Sequence, residues 1–186
     1  MKENKSTYAI MGILSTGPMS GYDIKKKFEK SLSYFWSESY GQIYPILKNL
    51  AKQELATRSI ERQTGKPDRH IYALTAKGRK ALQDWMIQPV GRQIGRHEIL
   101  LKLFFAQQVS LADTIRQIEQ FRKLQSQKLK QITATKAMLE ADDKDNPNLP
   151  YWLMTVRYGQ YVNKAYIRWS DESLAMLRRM EQETES

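Results

Sequence analysis

One stretch of the chain, residues 37–52, restricts the fold more than any other because it carries a complete helical pattern. Its apolar residues recur at positions i, i+3, i+4 and i+7. They are Ile43, Ile46, Leu47 and Leu50. Such spacing is typical of a helix that packs one face on a core. Pro45 lies within the pattern, where a proline removes a backbone hydrogen bond and normally destabilises a helix. Because the apolar face continues past it, we predict a bent but unbroken helix.

The opposite face of this helix has no acidic residue. It carries Gly41, Pro45, Lys48, Asn49 and Lys52. Ser39 and Gln42 have the spacing of a capping box, which places the helix start near Tyr40. We interpret the segment as a recognition helix that enters a groove of DNA. An ordinary core helix that tolerates a proline is the alternative, and this segment alone does not decide between the two.

The composition excludes several classes of site. The 186-residue chain has no cysteine, so a disulfide framework, a zinc ribbon and a thiol nucleophile are excluded. Only two histidines are present, and we predict no metal and no cofactor. The longest apolar run, residues 99–106, is too short to cross a bilayer. The start of the chain does not resemble a signal peptide. We therefore expect a cytoplasmic protein without a membrane partner.

The charge is unevenly distributed along the chain. The formal net charge is +10 and the sequence pI is near 9.7. The first 90 residues contain 15 of the 30 Lys and Arg but only 8 of the 20 Asp and Glu. A basic N-terminal half is the electrostatic signature of nucleic-acid binding. Charge alone leaves two alternatives, an ordinary basic protein and one that binds a membrane surface.

Two shorter helices are predicted before this segment. Residues 7–15 form an apolar first helix. Ser20 and Asp23 form a second capping box, which starts a helix that continues to about residue 30. The outer side of that helix carries Lys25, Lys26 and Lys27, for which a solvated surface is the alternative interpretation. This second helix and the recognition helix that follows it are joined by a tight link, and the recognition helix has a cationic polar face. Such a pair of helices is typical of a helix-turn-helix.

After this segment the periodicity changes to that of strands. Residues 55–62 and 69–74 are predicted as two strands that flank a Gly/Pro loop, which makes a hairpin. The loop would place Lys66 and Arg69 at its tip. Thr75 then caps a further helix. Three helices followed by a hairpin form a winged helix-turn-helix, so the predicted fold class is mainly α with a small β-hairpin wing.

The remaining residues predict a helical second domain. The two predicted domains are residues 1–88, which bind DNA, and residues 96–186, which dimerise. A linker near residues 89–95 is followed by helices at 98–108, at about 110–141 and from Pro150 onward. Apolar residues recur there at heptad-like spacing, and we predict that they form a dimer interface. The predicted interface consists of Ile115, Ile118, Leu129, Ile132, Leu153, Val156, Ile167 and Leu174, with Asn163 as a polar residue that can set the register of the dimer. Packing within one chain is the alternative.

Four blocks of the sequence, in order, resemble the PadR family of bacterial transcriptional regulators. They are GPMSGYDI at 17–24, GQIYPILKNL at 41–50, GKP at 65–67 and YALTAKG at 72–78. The resemblance covers roughly residues 5–88, and the tail resembles the virulence-activator-type C-terminal domain of larger members. It implies a homodimer that binds a two-fold-related operator, as a repressor or, in a minority of members, an activator. Members of the family respond to phenolic acids or drugs. Asp68 departs from the pattern by placing an acid in the wing.

The DNA-binding prediction divides the site residues by role. Lys25, Lys26, Lys48, Lys52, Lys66 and Arg69 are predicted to meet phosphates. The helix starts at Ser20 and Ser39 are candidates for backbone contacts to phosphate. Base contacts are predicted for Ser39, Tyr40, Gln42 and Tyr44, beside a close approach at Gly41. Tyr22 and Pro45 complete the predicted interface. For Tyr44, a core position is the alternative.

The aromatic residues of the chain could line a pocket for a flat ligand. Trp85, Trp152 and Trp169 are the candidates, and a role in the core is the alternative for each. An enzyme is not expected because the sequence has no nucleophile elbow, phosphate-binding loop or metal-ligand cluster. A winged-helix module that binds another protein, without sequence-specific DNA binding, remains the alternative function.

Overall fold

The computed structural model of the protein describes residues 4–32, 35–62, 65, 68–91 and 95–185. Its contacts divide the chain into two compact units, Met1–Arg92 and Gln93–Ser186.

The first unit is a winged helix-turn-helix, as predicted. Its helices are α1 (Lys5–Leu14), α2 (Gly21–Lys27), α3 (Tyr40–Lys52) and α4 (Ala76–Met86), and a π-helical turn, Phe28–Leu32, extends α2. Its strands are β1 (Met19–Ser20), β2 (Ala56–Glu61) and β3 (Arg69–Leu74). They form an antiparallel sheet in the order β1-β3-β2, with β2 and β3 as the wing. The short strand β1 was not predicted, because two residues are too few to show a strand period.

Local capping fixes where these helices begin. The Ser20 hydroxyl accepts a hydrogen bond from the Asp23 N–H, and the Asp23 carboxylate accepts one from the Ser20 N–H, which is the predicted capping box. The Thr75 hydroxyl accepts a hydrogen bond of 3.0 Å from the Gly78 N–H at the start of α4. Asn4 caps α1, so this helix begins two residues earlier than predicted. Each cap satisfies a backbone N–H that lacks a partner within the helix.

The core of the first unit collects the apolar faces of its helices and sheet. Helix α3 runs unbroken through Pro45 and buries its predicted inner face. The largest fully buried side chains in this unit come from α1, α2, the π-helical turn and α3. They are Ile10, Met11, Leu14, Ile24, Phe28, Ile43, Leu47 and Leu50. Tyr72 of β3 closes the core from the sheet side.

The second unit is built on a pair of long helices. Helix α5 (Glu98–Phe104) ends earlier than predicted, because the chain leaves helical geometry at Phe105 and continues as a 3-10 turn, Ala106–Gln108. Helices α6 (Leu111–Asp142) and α7 (Leu149–Glu185) follow. Ion pairs join Arg122 to Asp171 and Arg178 to Glu119. The residue with the higher number on α6 pairs with the residue that has the lower number on α7, so the two helices are antiparallel.

The residues predicted to form a dimer interface are largely buried within one chain. Ile118 and Val156 are each 1% exposed. Ile132, Asn163 and Leu174 are also buried, whereas Ile115, Leu129, Leu153 and Ile167 are half-buried. For the five buried residues the prediction that they face a second chain is corrected, whereas for the four half-buried residues it stays a prediction. Two antiparallel helices joined by a short turn are each other's nearest apolar partners, so they satisfy the pattern first.

Within the described residues, no helix is both long enough and apolar enough to span a lipid bilayer.

Candidate nucleic-acid interface

Helix α3 presents to solvent the face that was predicted to meet DNA. Gly41, Gln42, Pro45, Lys48 and Lys52 are exposed. Within the described part of the chain, neither Lys48 nor Lys52 forms an ion pair, so both charges are available to an anion. A Cβ atom on Gly41 would have Ser39 Oγ as its nearest neighbour, at 3.7 Å, so the helix surface is open at this point.

Three exposed tyrosines form a stacked row beside this face, which we call the tyrosine ridge. The ring centroids of Tyr22 and Tyr40 are 6.5 Å apart, and those of Tyr40 and Tyr44 are 6.3 Å apart. Tyr44 is 42% exposed, which rules out the alternative of a core ring. Lys26 Nζ lies 4.5 Å from the Tyr22 ring centroid. A hydrogen bond to Tyr22 and the charges of Tyr22 and Asp23 raise the pKa of Lys26, which keeps it cationic.

The side-chain oxygen of Gln42 is already engaged in the free protein. Gln42 Oε1 accepts hydrogen bonds of 2.9 Å from both the N–H and the hydroxyl of Ser39. A bidentate contact to adenine would need the same oxygen to accept from the base while the amide N–H donates to it. The predicted base contact of Gln42 therefore requires the cap to open or to share its acceptor.

Two residues predicted on α2 are less available than expected. Ser20 is only 6% exposed, its hydroxyl contacts Asp23 and Arg69, and its backbone N–H donates to Asp23. The backbone contact to phosphate at this helix start stays a prediction. Lys25 pairs with Glu29 at 3.3 Å, and its side chain is 19% exposed. One turn of helix brings these two charges together. Lys26 and Lys27 are both exposed, and neither forms an ion pair among the described residues.

The wing contributes differently from the prediction. Arg69 lies at the start of β3, and its guanidinium contacts Asp23 at 2.5 Å, so it is not a free cation at the wing tip. Lys66 lies outside the described residues, and its contact stays a prediction. Arg58 and Arg62, on or next to β2, are exposed cations that the sequence analysis did not single out. Their exposure follows from the edge position of β2, which no local pattern reveals.

Two of the tryptophans predicted to line a ligand pocket are packed within the separate units. Trp85 stacks on Tyr8 with ring centroids 4.5 Å apart, against the core of the first unit. Trp169 meets Phe121 edge-on and packs against the apolar cluster of α6 and α7. Both fulfil the alternative role of core residues, and Trp152 is half-buried. The second unit instead has a cavity of about 360 Å³ between α5 and α6.

Comparison with known proteins supplies the family. Residues 10–84 match the family described as "Transcriptional regulator PadR-like family", and residues 95–178 match "Virulence activator alpha C-term". Over 176 residues the chain is 31% identical to the negative transcriptional regulator PadR of Bacillus subtilis (strain 168), which covers 91% of this chain and 96% of that relative. The chain belongs to the PadR-like family of transcriptional regulators. The resemblance inferred from four sequence blocks is thereby confirmed, and so is the expectation of a regulator and not an enzyme.

Solved structures of PadR-like proteins share the fold of this chain. The crystal structure of Bacillus subtilis PadR in complex with operator DNA superposes with a TM-score of 0.80 at 30% identity, covering 94% of this chain and 99% of that one. The same protein in complex with p-coumaric acid gives a TM-score of 0.70 at 28% identity, with 92% and 94% covered. These matches confirm the predicted fold class over almost the whole length.

Proposed function

We propose that this PadR-like protein is a bacterial repressor that binds operator DNA as a homodimer and releases it in response to a small aromatic acid. The observation that carries the proposal is the outer face of α3, which is exposed, free of acidic residues and next to the tyrosine ridge. A relative with 30% identity has been crystallised with operator DNA, which supports DNA as the partner. A DNA target also favours the cytoplasm as its location.

The cations of this face supply affinity, and the ridge supplies specificity. Lys48, Lys52 and Lys26 would neutralise phosphates and release counterions, which makes binding strongly dependent on salt. The rings of Tyr40 and Tyr44 are amphipathic, so their edges can meet thymine methyl groups while their hydroxyls reach bases or phosphates. The exposed Arg58 of β2 would add a phosphate contact from the wing.

A salt titration of binding to duplex DNA tests this function. Genomic fragments that bind the purified protein are selected and sequenced, and the recovered sequence is compared with a scrambled duplex by fluorescence anisotropy. We expect a marked preference for the selected sequence and an affinity that falls steeply as salt rises. A winged-helix module that binds only proteins would show neither property, and that result would refute the proposal.

The dimer is proposed to form through the side of α7 that faces away from α6. Tyr151, Met154, Tyr158 and Tyr161 follow one another at spacings of three and four residues, and we call them the outer stripe of α7. They are between 63% and 71% exposed. Such a row of large apolar side chains is typical of a coiled-coil seam, and its exposure in one chain favours burial by a second copy. In this proposal residues 1–88 bind DNA and residues 96–186 hold the pair together.

The direction of control is proposed from the relative that is named a negative transcriptional regulator. A bound dimer would exclude RNA polymerase from a promoter that overlaps its operator. Transcription in vitro from the promoter next to the selected operator should fall when the protein is added. Increased transcription would show an activator.

The cavity between α5 and α6 is the proposed effector site. Its lining is mostly apolar and includes Ile99, Leu103 and Phe105, with Lys102 as a cation at its edge. Lys102 pairs with Glu98 at 2.6 Å, and the hydrogen bond and charge of Lys102 lower the pKa of Glu98. An aromatic carboxylate could place its ring against the apolar wall and its charge near Lys102. The p-coumaric acid complex of the relative supports this class of ligand.

Calorimetric titration with p-coumaric acid tests the effector site. Leu101 lines the cavity and Leu100 does not, so Leu101→Trp should abolish binding whereas Leu100→Trp should preserve it. Equal binding by both variants would place the effector elsewhere.

A further inference from the structure

The guanidinium of Arg69 joins the loop end of the wing's β2–β3 ladder to the start of α2. Arg69 Nη2 donates to Asp23 Oδ2 at 2.5 Å and to the Ser20 hydroxyl at 3.0 Å. Asp23 Oδ2 also accepts from the Ser20 N–H at 3.1 Å and from the Ser20 hydroxyl at 2.7 Å. These three residues, which we call the wing clamp, connect positions 46 and 49 residues apart along the chain.

The clamp lies at the end of the β2–β3 ladder that is next to the loop of the wing. Arg69 pairs with Glu61 as the last rung of the β2–β3 ladder before the loop. Ser20 lies in β1, the strand on the other side of β3, and caps α2. The contact therefore restrains the direction of the wing relative to α2. Helix α2 in turn packs on α3, where a Cβ atom on Gly21 would stand 2.7 Å from Tyr44 Cε1.

The clamp also neutralises the cation at its centre. Asp23 is in contact with the guanidinium, and Glu61 Oε2 lies 3.8 Å from Arg69 Nη1. Two carboxylates thus surround one positive charge whose side chain is only 35% exposed. A phosphate would have to displace Asp23 to reach it. By contrast, Lys48 of α3 is exposed and, in the described part of the chain, unpaired.

We infer that Arg69 is a positioning residue, which orients the wing so that the wing and α3 meet the same duplex, and that it does not itself neutralise a phosphate. This inference rests on the proposed function, because it assigns a role within DNA binding. It replaces the prediction that Arg69 is a phosphate contact of the wing.

The dependence of operator affinity on salt separates the two roles. Arg69→Gln should weaken operator binding roughly fivefold to tenfold, since a charged hydrogen bond that orders the wing is lost. The slope of log affinity against log salt should stay unchanged. Lys48→Gln, the matched control, should reduce that slope by about 0.9, as expected for one lost phosphate contact. A slope reduced by Arg69→Gln to the same extent would overturn the inference, as would an unchanged affinity.

Substitution of Asp23 gives a second test, because the two possible roles of Arg69 predict opposite changes in operator affinity. If Arg69 positions the wing, Asp23→Asn should weaken operator binding about as much as Arg69→Gln, and the double variant should be no weaker than either one. If Asp23 only competes with phosphate for Arg69, Asp23→Asn should strengthen binding, which would overturn the inference. Glu61→Gln removes a carboxylate beside the same guanidinium without altering α2. It therefore measures how much operator affinity changes when one negative charge is removed.

Thermal melting of each variant shows whether the unit remains folded, and the affinities are compared at a temperature at which every variant is fully folded, so that a change in affinity does not come from unfolding. The wild-type protein separates this inference from the proposed function. Failure of the wild type to prefer the operator would refute the function. Steep, sequence-preferring binding by the wild type with a reduced slope in Arg69→Gln would refute only the positioning role.

Discussion

Gly21 lies so close to the ring of Tyr44 that a Cβ atom on Gly21 would stand 2.7 Å from Tyr44 Cε1 and 3.3 Å from Leu47 Cδ1. The first residue of α2 therefore supports a tyrosine of the ridge from below. A glycine at this position is required by the close approach of two helices and not by backbone dihedral angles.

We expect Gly21→Ala to displace the Tyr44 ring and weaken operator binding more than it weakens folding. Tyr44 is partly exposed and can rotate outward, so the free energy of unfolding should fall by only about 1 kcal/mol. Anisotropy with the selected operator and thermal melting measure the two effects. Gly12→Ala is the matched control, since among the described residues a Cβ atom at Gly12 would have no neighbour within 4 Å outside its own stretch of helix. Operator affinity unaffected by Gly21→Ala would remove Tyr44 from the interface.

Gly41→Ala should leave folding intact and weaken DNA binding. Its Cβ atom would meet only Ser39 Oγ at 3.7 Å in the free protein, and alanine is a better helix former than glycine. In the complex, however, the added methyl group would stand between α3 and the duplex. We expect an unchanged or raised melting temperature with an affinity reduced roughly tenfold, about 1.4 kcal/mol. Full affinity in this variant would show that α3 does not approach DNA closely at Gly41.

Substitutions of Gln42 should separate its capping role from base recognition. Gln42→Glu keeps an oxygen that accepts from Ser39 but loses the amide N–H, whereas Gln42→Ala loses both. Gln42→Ala should lower the free energy of unfolding by about 1 kcal/mol, and Gln42→Glu should not.

If Gln42 contacts a base, both variants should prefer different sequences when bound DNA is selected from a random pool. A Gln42→Glu variant that selects the wild-type sequence would assign Gln42 to the cap alone.

The stability of the first unit should depend on Asp23 in acid. Partial burial raises the pKa of Asp23, but hydrogen bonds from Ser20 and the charge of Arg69 outweigh it, so the pKa lies below its usual value. A carboxylate with a lowered pKa in the folded state stabilises the protein above the unfolded pKa, about 3.9, and loses that contribution as the pH falls through the folded pKa.

Thermal melting between pH 7 and pH 2 should show a smaller acid-induced decrease in Asp23→Asn than in the wild type. Asp84→Asn is the control, because the Asp84 carboxylate pairs with Lys80 on the exposed side of one helix, where an ion pair contributes little to stability. An acid-induced decrease of the same size in Asp23→Asn would show that the wing clamp does not contribute to the pH dependence of stability.

Disrupting the outer stripe of α7 should give a monomer. Tyr158→Glu combined with Tyr161→Glu places two charges in the proposed seam, while the surface that packs on α6 stays intact. Sedimentation velocity should show a dimer for the wild type and a monomer for this variant, with weak operator binding. Lys164→Glu on a flank of α7 is the control, since it alters net charge by the same amount outside the stripe. A dimeric tyrosine variant would exclude this face.

Local rules in the sequence were enough to predict the first unit almost completely. Capping residues such as Ser20 and Thr75 act within three positions of themselves, and the inner face of α3 follows from a fixed helical period. The hairpin follows from two short runs of strand formers around a Gly/Pro loop. These signals need no knowledge of distant residues, so the starts of α2, α3 and α4, the wing and the exposed side of α3 agree with the structure.

Tertiary structure alone decided which charges and faces remain available. Arg69 and Asp23 are 46 residues apart, and only the packing of β3 beside α2 turns a predicted phosphate contact into a clamp. The heptad pattern of the tail showed that apolar stripes exist, but packing of α6 on α7 determined which stripe is buried within the chain and which is left exposed. The periodicity of the sequence determines which face of a helix is apolar, because it is a property of the helix itself. What each face packs against depends on how separate elements are arranged in space.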